Sequence, residues 1–234
     1  MDLVDQYDKF YGETELIAEN LVDLKMNGWP KDRTEAIIFS VKSGESVLDV
    51  GSGNGNLLYQ LRSKFTHLIG LEYSPKRMQQ AELNLAGHNF TGALGSAERM
   101  NAFDTNSIDC IVSADTIEHI PDVYLACQEF FRVLRPGGSI IINTPNIAFV
   151  KKRALLLFGR FPSTSQKNEG LGSDILFDGG HLHYFTFRSL SLLLVKSGFQ
   201  IDSRIGYGKF GRIHNNYPQL LSGGAQVVAH KPVV

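Results

Sequence analysis

Only two cysteines occur in 234 residues, Cys110 and Cys127, and they fall in an expected strand and an expected helix. So few thiols exclude a disulfide scaffold and suggest no metal site. They fit buried groups in a reducing compartment, so a cytoplasmic location is expected. No apolar run approaches the ~18 residues that a membrane-spanning helix needs. The opening Met1-Asp2-Leu3-Val4-Asp5-Gln6 lacks the basic and apolar regions of a signal peptide. Neither sign of charge dominates: 23 Lys and Arg stand against 24 Asp and Glu, a net charge of −1. The chain as a whole therefore has no attraction for nucleic acid or anionic membranes. Internal repeats and low-complexity linkers are absent too. The 43% of hydrophobic residues is enough for the core of one α/β domain of this length.

The densest signal lies at residues 45–56, Glu-Ser-Val-Leu-Asp-Val-Gly-Ser-Gly-Asn-Gly-Asn. A short apolar strand, Val47 to Val50, runs into alternating Gly51, Gly53 and Gly55, and helical sequence follows from Leu57. Such a unit brings backbone N–H groups and a helix N-terminus up to a ligand with no Cβ atoms in the way. Two details select the ligand. Asn56 stands where a dinucleotide-binding loop has its third glycine. Asp49 sits at the strand end, where a carboxylate suits an ammonium group better than a pyrophosphate. The next apolar strand ends at Glu72, 21 residues after Gly51. An acid at that strand tip can accept both hydroxyls of a ribose. An exposed acid there has little structural purpose, which makes Glu72 the clearest ligand contact in the chain.

These residues resemble the class I S-adenosylmethionine-dependent methyltransferases. The resemblance is carried by Val47–Gly55, by Gly70-Leu71-Glu72-Tyr73-Ser74, by Ser107–Val112 and by Leu134-Arg135-Pro136-Gly137-Gly138, closely over residues 40–145 and loosely elsewhere. It implies S-adenosyl-L-methionine as methyl donor and S-adenosyl-L-homocysteine as product. It implies cofactor contacts from Asp49, Gly51, Ser52, Gly53, Asn54, Gly55, Glu72, Tyr73, Ser74, Ser96, Ala97, Glu98 and Ala114. The family commonly has an acid at the Ser96 position to accept the adenine amino group. Here the Ser96 hydroxyl or the backbone of Ala97 would read the base, with Tyr73 stacking on it or shielding it.

The implied fold is a Rossmann-like, doubly wound α/β sheet of seven strands, mostly parallel with an antiparallel last strand. Alternating strand and helix patterns from Ser46 agree with parallel pairing through right-handed crossovers. Strands are expected near 46–50, 67–72, 89–93, 107–113, 137–144, 199–206 and 225–230. Helices are expected near 56–64, 75–85, 122–134 and 187–197, and residues 207–224 read as loop or irregular structure. One domain is expected, divided into a helical N-terminal cap (1–43), a cofactor-binding core (44–145), a substrate-binding insertion (146–186) and a C-terminal helix with closing strands (187–234). In the cap, Ile17, Leu21 and Leu24 repeat at helical spacing, and Tyr7, Phe10 and Tyr11 either cover the sheet edge or form a lid. The insertion pairs an amphipathic segment, Ala148 to Phe158, with a long polar loop at the carboxyl ends of the strands, where open α/β sheets bind ligands.

Two clusters offer acceptor chemistry. Ser113-Ala114-Asp115-Thr116-Ile117-Glu118-His119 follows the fourth strand and lacks the Asn/Asp-Pro-Pro-aromatic tetrad of enzymes that methylate base amines. The Glu118-His119 pair resembles small-molecule O-methyltransferases, including those of ubiquinone biosynthesis and those acting on sugars and natural products. His119 is a candidate base, although the pair could equally pin the following helix. Gly179-Gly180-His181-Leu182-His183-Tyr184-Phe185-Thr186 places two more candidate bases, His181 and His183, before an N-cap, Thr186, with Phe185 and Leu190 as a hydrophobic staple. His181 and His183 are alternatively half of a metal site with Glu118 and His119, but no metal is expected. The expected partner is a small-molecule acceptor, methylated at a hydroxyl oxygen by a monomer or homodimer, with no nucleic acid and no membrane. The rivals are a nicotinamide dehydrogenase, a non-catalytic adenosylmethionine-binding protein, and an RNA or protein methyltransferase.

Overall fold

The computed structural model describes residues 3–11, 16–165, 167–171 and 175–233. Seven strands form one sheet: β1 (Gly44–Val50), β2 (Phe65–Glu72), β3 (Phe90–Leu94), β4 (Ile108–Ala114), β5 (Leu134–Pro145), β6 (Gln200–Ile205) and β7 (Gly224–His230). Their spatial order is β3-β2-β1-β4-β5-β7-β6. Pairings β1–β2, β1–β4, β2–β3 and β4–β5 are parallel, and only β7 runs against its neighbours. The sheet is thus the Rossmann-like arrangement expected from the motifs. Its order reverses between β1 and β4, where a crevice opens at the carboxyl ends of the strands.

Helices cover both faces because alternate strand residues point opposite ways. Leu48, Ile111, Ile140 and Val227 pack on one side with residues of α5 (Val123–Val133) and α7 (Phe187–Lys196). Val47, Cys110, Ile141 and Val228 pack on the other with residues of α2 (Arg33–Ser40) and α3 (Asn56–Leu61). The helix starts follow local chemistry. The Asp32 side chain caps α2, Ser74 caps α4 (Pro75–Asn84), and Asp122 caps α5. Thr186 and Ser189 form a reciprocal capping box on α7, and Phe185 and Leu190 are both in the core, as the staple requires. Asp109, the acid that interrupts β4, is structural. It accepts from the Glu45 N–H at 2.8 Å and the Ser46 N–H at 2.7 Å, and it pairs with Arg135 at 2.6 Å.

Three expectations need correction. Helix α1 spans Leu3–Tyr11, but the Ile17–Leu24 stretch is not helical. Its apolar side chains lack a surface to bury on; Ile17 is 66% and Val22 71% exposed. Side-chain amides meet its backbone instead. Gln80 donates to the Ile17 carbonyl, Asn84 accepts from the Glu19 N–H, and Gln60 both donates to the Val22 carbonyl and accepts from the Leu24 N–H. The segment is therefore a strap across α3 and α4. Second, β5 starts at Leu134, ahead of the Pro136-Gly137-Gly138 turn, which becomes an irregularity inside the strand where the register shifts opposite Ile108 and Cys110. Third, residues 207–224 contain two short helical turns, Ile213–Asn216 and Pro218–Leu221.

Candidate active site

The crevice holds a cavity of about 770 Å³, bounded by the ends of β1, β2 and β4 and by residues of α1 and the insertion. Asp49 lies at its floor, 1% exposed, with Oδ1 lacking any hydrogen-bond partner. Burial, and then the nearby Glu72 charge, push its carboxyl up to about 7 against the opposing pull of Arg33 and Arg77. The glycine loop is stitched to the second strand. The Gly51 and Ser52 N–H groups donate to the Leu71 carbonyl at 2.8 and 3.2 Å. Gly51 has φ +77°, and a Cβ there would overlap the Thr116 side chain. The position therefore admits only glycine. Asn54 is tied outward to the strap through the Glu19 carboxylate, at 2.9 and 3.1 Å.

Glu72 faces the same cavity, yet it is not the exposed acid the sequence suggests. It is 7% exposed, and its carboxylate accepts from the Gly53 N–H at 2.7 Å, the Tyr73 N–H at 2.8 Å and the Ser74 N–H at 2.9 Å. It therefore fastens the glycine loop to the β2 tip as well as presenting a charge to the cavity. Ser96, Ala97 and Glu98 line the neighbouring wall. There the Ser96 hydroxyl donates to Glu98 at 2.9 Å, and Glu98 accepts from the Asp122 N–H at 2.7 Å. Tyr7 of α1 meets Tyr73 edge-on at 6.2 Å and His119 at 6.0 Å, so α1 lays an aromatic side chain along the cavity wall between its two ends. A hydrogen bond between Ser74 and Asp8 holds that helix in place.

Ala114, Glu118, His119 and His181 gather at the opposite end. Glu118 is buried. Its Oε2 accepts from Thr144 Oγ1 at 2.8 Å, while Oε1 has no hydrogen-bond partner and stands 3.9 Å from His181 Nε2. Burial and the Asp115 charge push the Glu118 carboxyl up to about 8. The His119 and His181 rings meet edge-on at 4.7 Å. Burial and the neighbouring His181 pull His119 down to about 4, and burial lowers His181. His119 Nδ1 lies 3.1 Å from the Gly180 carbonyl, and His181 Nδ1 lies 2.6 Å from Thr164 Oγ1. Each ring thus has its Nδ1 engaged. His183, two residues on, does not join them. It is outside the cavity lining, and its Nε2 lies 3.2 Å from the Pro121 carbonyl.

The sequence reading missed three features. Asp178, in an Asp-Gly-Gly turn, has φ +44° and accepts from the hydroxyls of Ser163, Thr164, Ser165 and Tyr184, so the insertion folds around one carboxylate. The turn signal was visible, but the gathering of four residues on this carboxylate was not. Arg33 forms an ion pair with Asp115 at the cavity rim. A second cavity of about 360 Å³ shares Asp115, Pro145 and Thr164 with the first and is walled by Phe149, Tyr207 and His214.

Residues 41–185, more than half of the chain, match the family model described as a methyltransferase domain. The chain is 29% identical over 109 residues to a ubiquinone biosynthesis O-methyltransferase of Aromatoleum aromaticum, covering 46% of this chain and 47% of that protein. It is 33% identical over 106 residues to phosphoethanolamine N-methyltransferase 1 of Arabidopsis thaliana, covering 44% and 22%. The chain spans about half the length of the first curated relatives it matches. The crystal structure of an S-adenosylmethionine-dependent methyltransferase from Mesorhizobium loti superposes with a TM-score of 0.64 at 16% identity, covering 84% of this chain and 96% of that one, a likeness of fold.

Proposed function

We propose that this chain, a member of the class I S-adenosylmethionine-dependent methyltransferase family, methylates a hydroxyl oxygen of a small acceptor in the cytoplasm. The observation that carries the reading is the continuity of one cavity from the glycine loop, Asp49 and Glu72 to Glu118, His119 and His181. The cofactor end fits its ligand on two counts. Asp49 offers a buried carboxylate oxygen with no protein partner, and Gly51, Ser52, Gly53 and Asn54 line the cavity beside it. Asp49 would receive the ammonium group, Glu72 the ribose hydroxyls, and Tyr73 with Ser96 and Ala97 the adenine.

S-adenosylmethionine supplies a methyl group already activated on a sulfonium. The chain's residues then have to align the acceptor, exclude water and take a proton. The Glu118, His119 and His181 end is where the acceptor's hydroxyl proton leaves as the oxygen–carbon bond forms. His119 Nδ1 beside the Gly180 carbonyl implies an N–H at that nitrogen and a lone pair at Nε2. His183, outside the cavity lining, has no part in this proposal. The adjoining 360 Å³ cavity gives room for the rest of the acceptor. A second reading, methylation of an amine, is supported by the plant N-methyltransferase relative.

Calorimetric titration with S-adenosylmethionine, S-adenosylhomocysteine and NAD tests the cofactor. Binding of both adenosyl ligands but not NAD is expected, with Glu72→Gln weakened more than tenfold. Failure of both adenosyl ligands to bind would end the reading. Turnover on matched alcohols and amines then separates oxygen from nitrogen transfer.

A further inference from the structure

The second cavity, of about 360 Å³, has the volume of a small ligand pocket and adjoins the first at Asp115, Pro145 and Thr164. Phe149, Tyr207 and Leu221 give it apolar walls, and Lys31 and Lys209 bring two cationic side chains to its lining. These lysines are far apart in sequence, and direct ties between their segments bring them together. The Gly208 N–H donates to the Pro30 carbonyl at 3.2 Å, and the Trp29 indole N–H donates to the Gly206 carbonyl at 2.8 Å. The first of these bonds joins the residues next to the two lysines. The wall beside them is fixed as well. The Tyr207 hydroxyl donates to Asn143 at 3.0 Å, and the Tyr207 N–H donates to Ser222 Oγ at 3.2 Å.

Two like charges gathered at one cavity repel each other and draw in an anion. Among the described residues neither ammonium forms an ion pair. The nearby acids are already committed. Asp32 accepts from the Glu35 N–H at 2.9 Å, and Glu35 accepts from the Lys31 N–H at 2.8 Å, both at the start of α2. Asp115, the acid in the lining, is paired with Arg33. Glu118, in the first cavity, is pushed up to about 8 by burial and by Asp115, so it carries little charge at neutral pH. His214 is spent on the wall. Its Nδ1 lies 2.6 Å from the Leu221 carbonyl and its Nε2 accepts from the Phe210 N–H at 3.3 Å, the pattern of a neutral ring. The cavity is thus positive through its two lysines, in a chain whose net charge is −1.

We propose that the second cavity takes an anionic group of the methyl acceptor, a carboxylate or a phosphate, with Lys31 and Lys209 as its contacts. The acceptor is then a hydroxy acid. Its apolar body lies along Phe149 and Tyr207, and its hydroxyl reaches past Pro145 and Thr164 into the first cavity. An ammonium is a compact point charge, so the lysine pair suits either anion, whereas an arginine fork would favour a planar carboxylate. Both lysines are exposed, so their attraction for the anion weakens with salt. That the anion belongs to the acceptor rests on the methyl-transfer reading. The capacity to bind an anion does not.

The test titrates the full chain calorimetrically, with and without S-adenosylhomocysteine, using three probes of similar shape. These are para-hydroxyphenylpropanoate, its neutral carboxamide and para-hydroxyphenethyl phosphate. At least one of the two anions is expected to bind tenfold or more tighter than the amide, by a margin that shrinks in high salt. The ratio of carboxylate to phosphate affinity tells which anion the site prefers. Lys31→Gln and Lys209→Gln should each cut the margin about threefold, and the double variant should abolish it while leaving amide binding unchanged. Lys151→Gln, in the exposed helix Val150–Leu157 and outside both linings, should keep the whole margin. In turnover with S-adenosylmethionine, the double variant should raise KM for the anionic probe about tenfold and hold kcat. An amide that binds as tightly as both anions, no binding of any probe, or a margin that survives in the double variant would overturn the anion site. A double variant that lowers kcat at unchanged KM would overturn its assignment to the acceptor. Loss of S-adenosylhomocysteine binding in the unaltered chain, with the anion margin intact, strikes the methyl-transfer reading instead.

Discussion

On the proposed reading, Asp49 makes cofactor binding a proton-linked event. In the free protein its carboxyl is pushed up to about 7 by burial and by Glu72, so at pH 5.5 most molecules carry it protonated. A docked ammonium group requires the ionised form, so binding expels the proton. The sign follows directly: affinity is low where the acid is protonated and rises as pH climbs toward 7. One pH unit below the pKa costs about 1.4 kcal/mol, a factor of roughly ten. Between pH 5.5 and 7 the affinity for S-adenosylhomocysteine should therefore rise about tenfold. Calorimetry in two buffers of different ionisation enthalpy gives the second readout, a net release of protons on binding at pH 6. Asp49→Asn should bind more weakly and lose the slope below pH 7. An affinity that stays flat from 5.5 to 7 with no proton release, or a slope that survives in Asp49→Asn, refutes the assignment of Asp49 to the ammonium group.

Three further outcomes are expected. Gly51→Ala should lose about 2–4 kcal/mol of stability in urea unfolding and weaken S-adenosylhomocysteine more than tenfold. Both a left-handed backbone and the Thr116 side chain oppose the added methyl. Asp109→Ala, remote from the cavity, should cost about 3 kcal/mol in the same assay, because it strands two backbone N–H groups and Arg135, while cofactor affinity per folded molecule stays the same. Gln60→Ala should free the strap, raising amide exchange at Val22 and Leu24 at least tenfold without moving that of the central strands.

The sheet was legible because its signals are local and redundant. An apolar run, a glycine turn and a capped helix recur in phase from Val47 onward, and each strand's burial follows from the next. The proposed cofactor floor was legible for the same reason: Asp49, the glycines and Glu72 lie within 24 residues. The strap misled because Ile17, Leu21 and Leu24 have helical spacing, whereas the partners that decide the outcome, Gln60, Gln80 and Asn84, lie some 35 to 65 residues away. The acceptor end was half legible. Glu118, His119 and His181 could be named one by one, but separating His181 from His183 needed the fold. Asp178 reads as an ordinary turn residue until the Ser163–Ser165 stretch closes on it.

The two ends of the cavity differ in how the chain brings them together. The cofactor end is assembled by neighbours in sequence, while the acceptor end waits for Leu182 and His183 to reach the Glu118 carbonyl across more than sixty residues. That lacing lies outside the sheet ladder, so it is expected to open before the central strands do. The molecule thus has an order of maturation: a chain that holds its nucleoside ligand need not yet have the means to use it. Heat or mild denaturant should take these abilities away in the reverse order, leaving a window in which the protein binds its cofactor and is chemically silent.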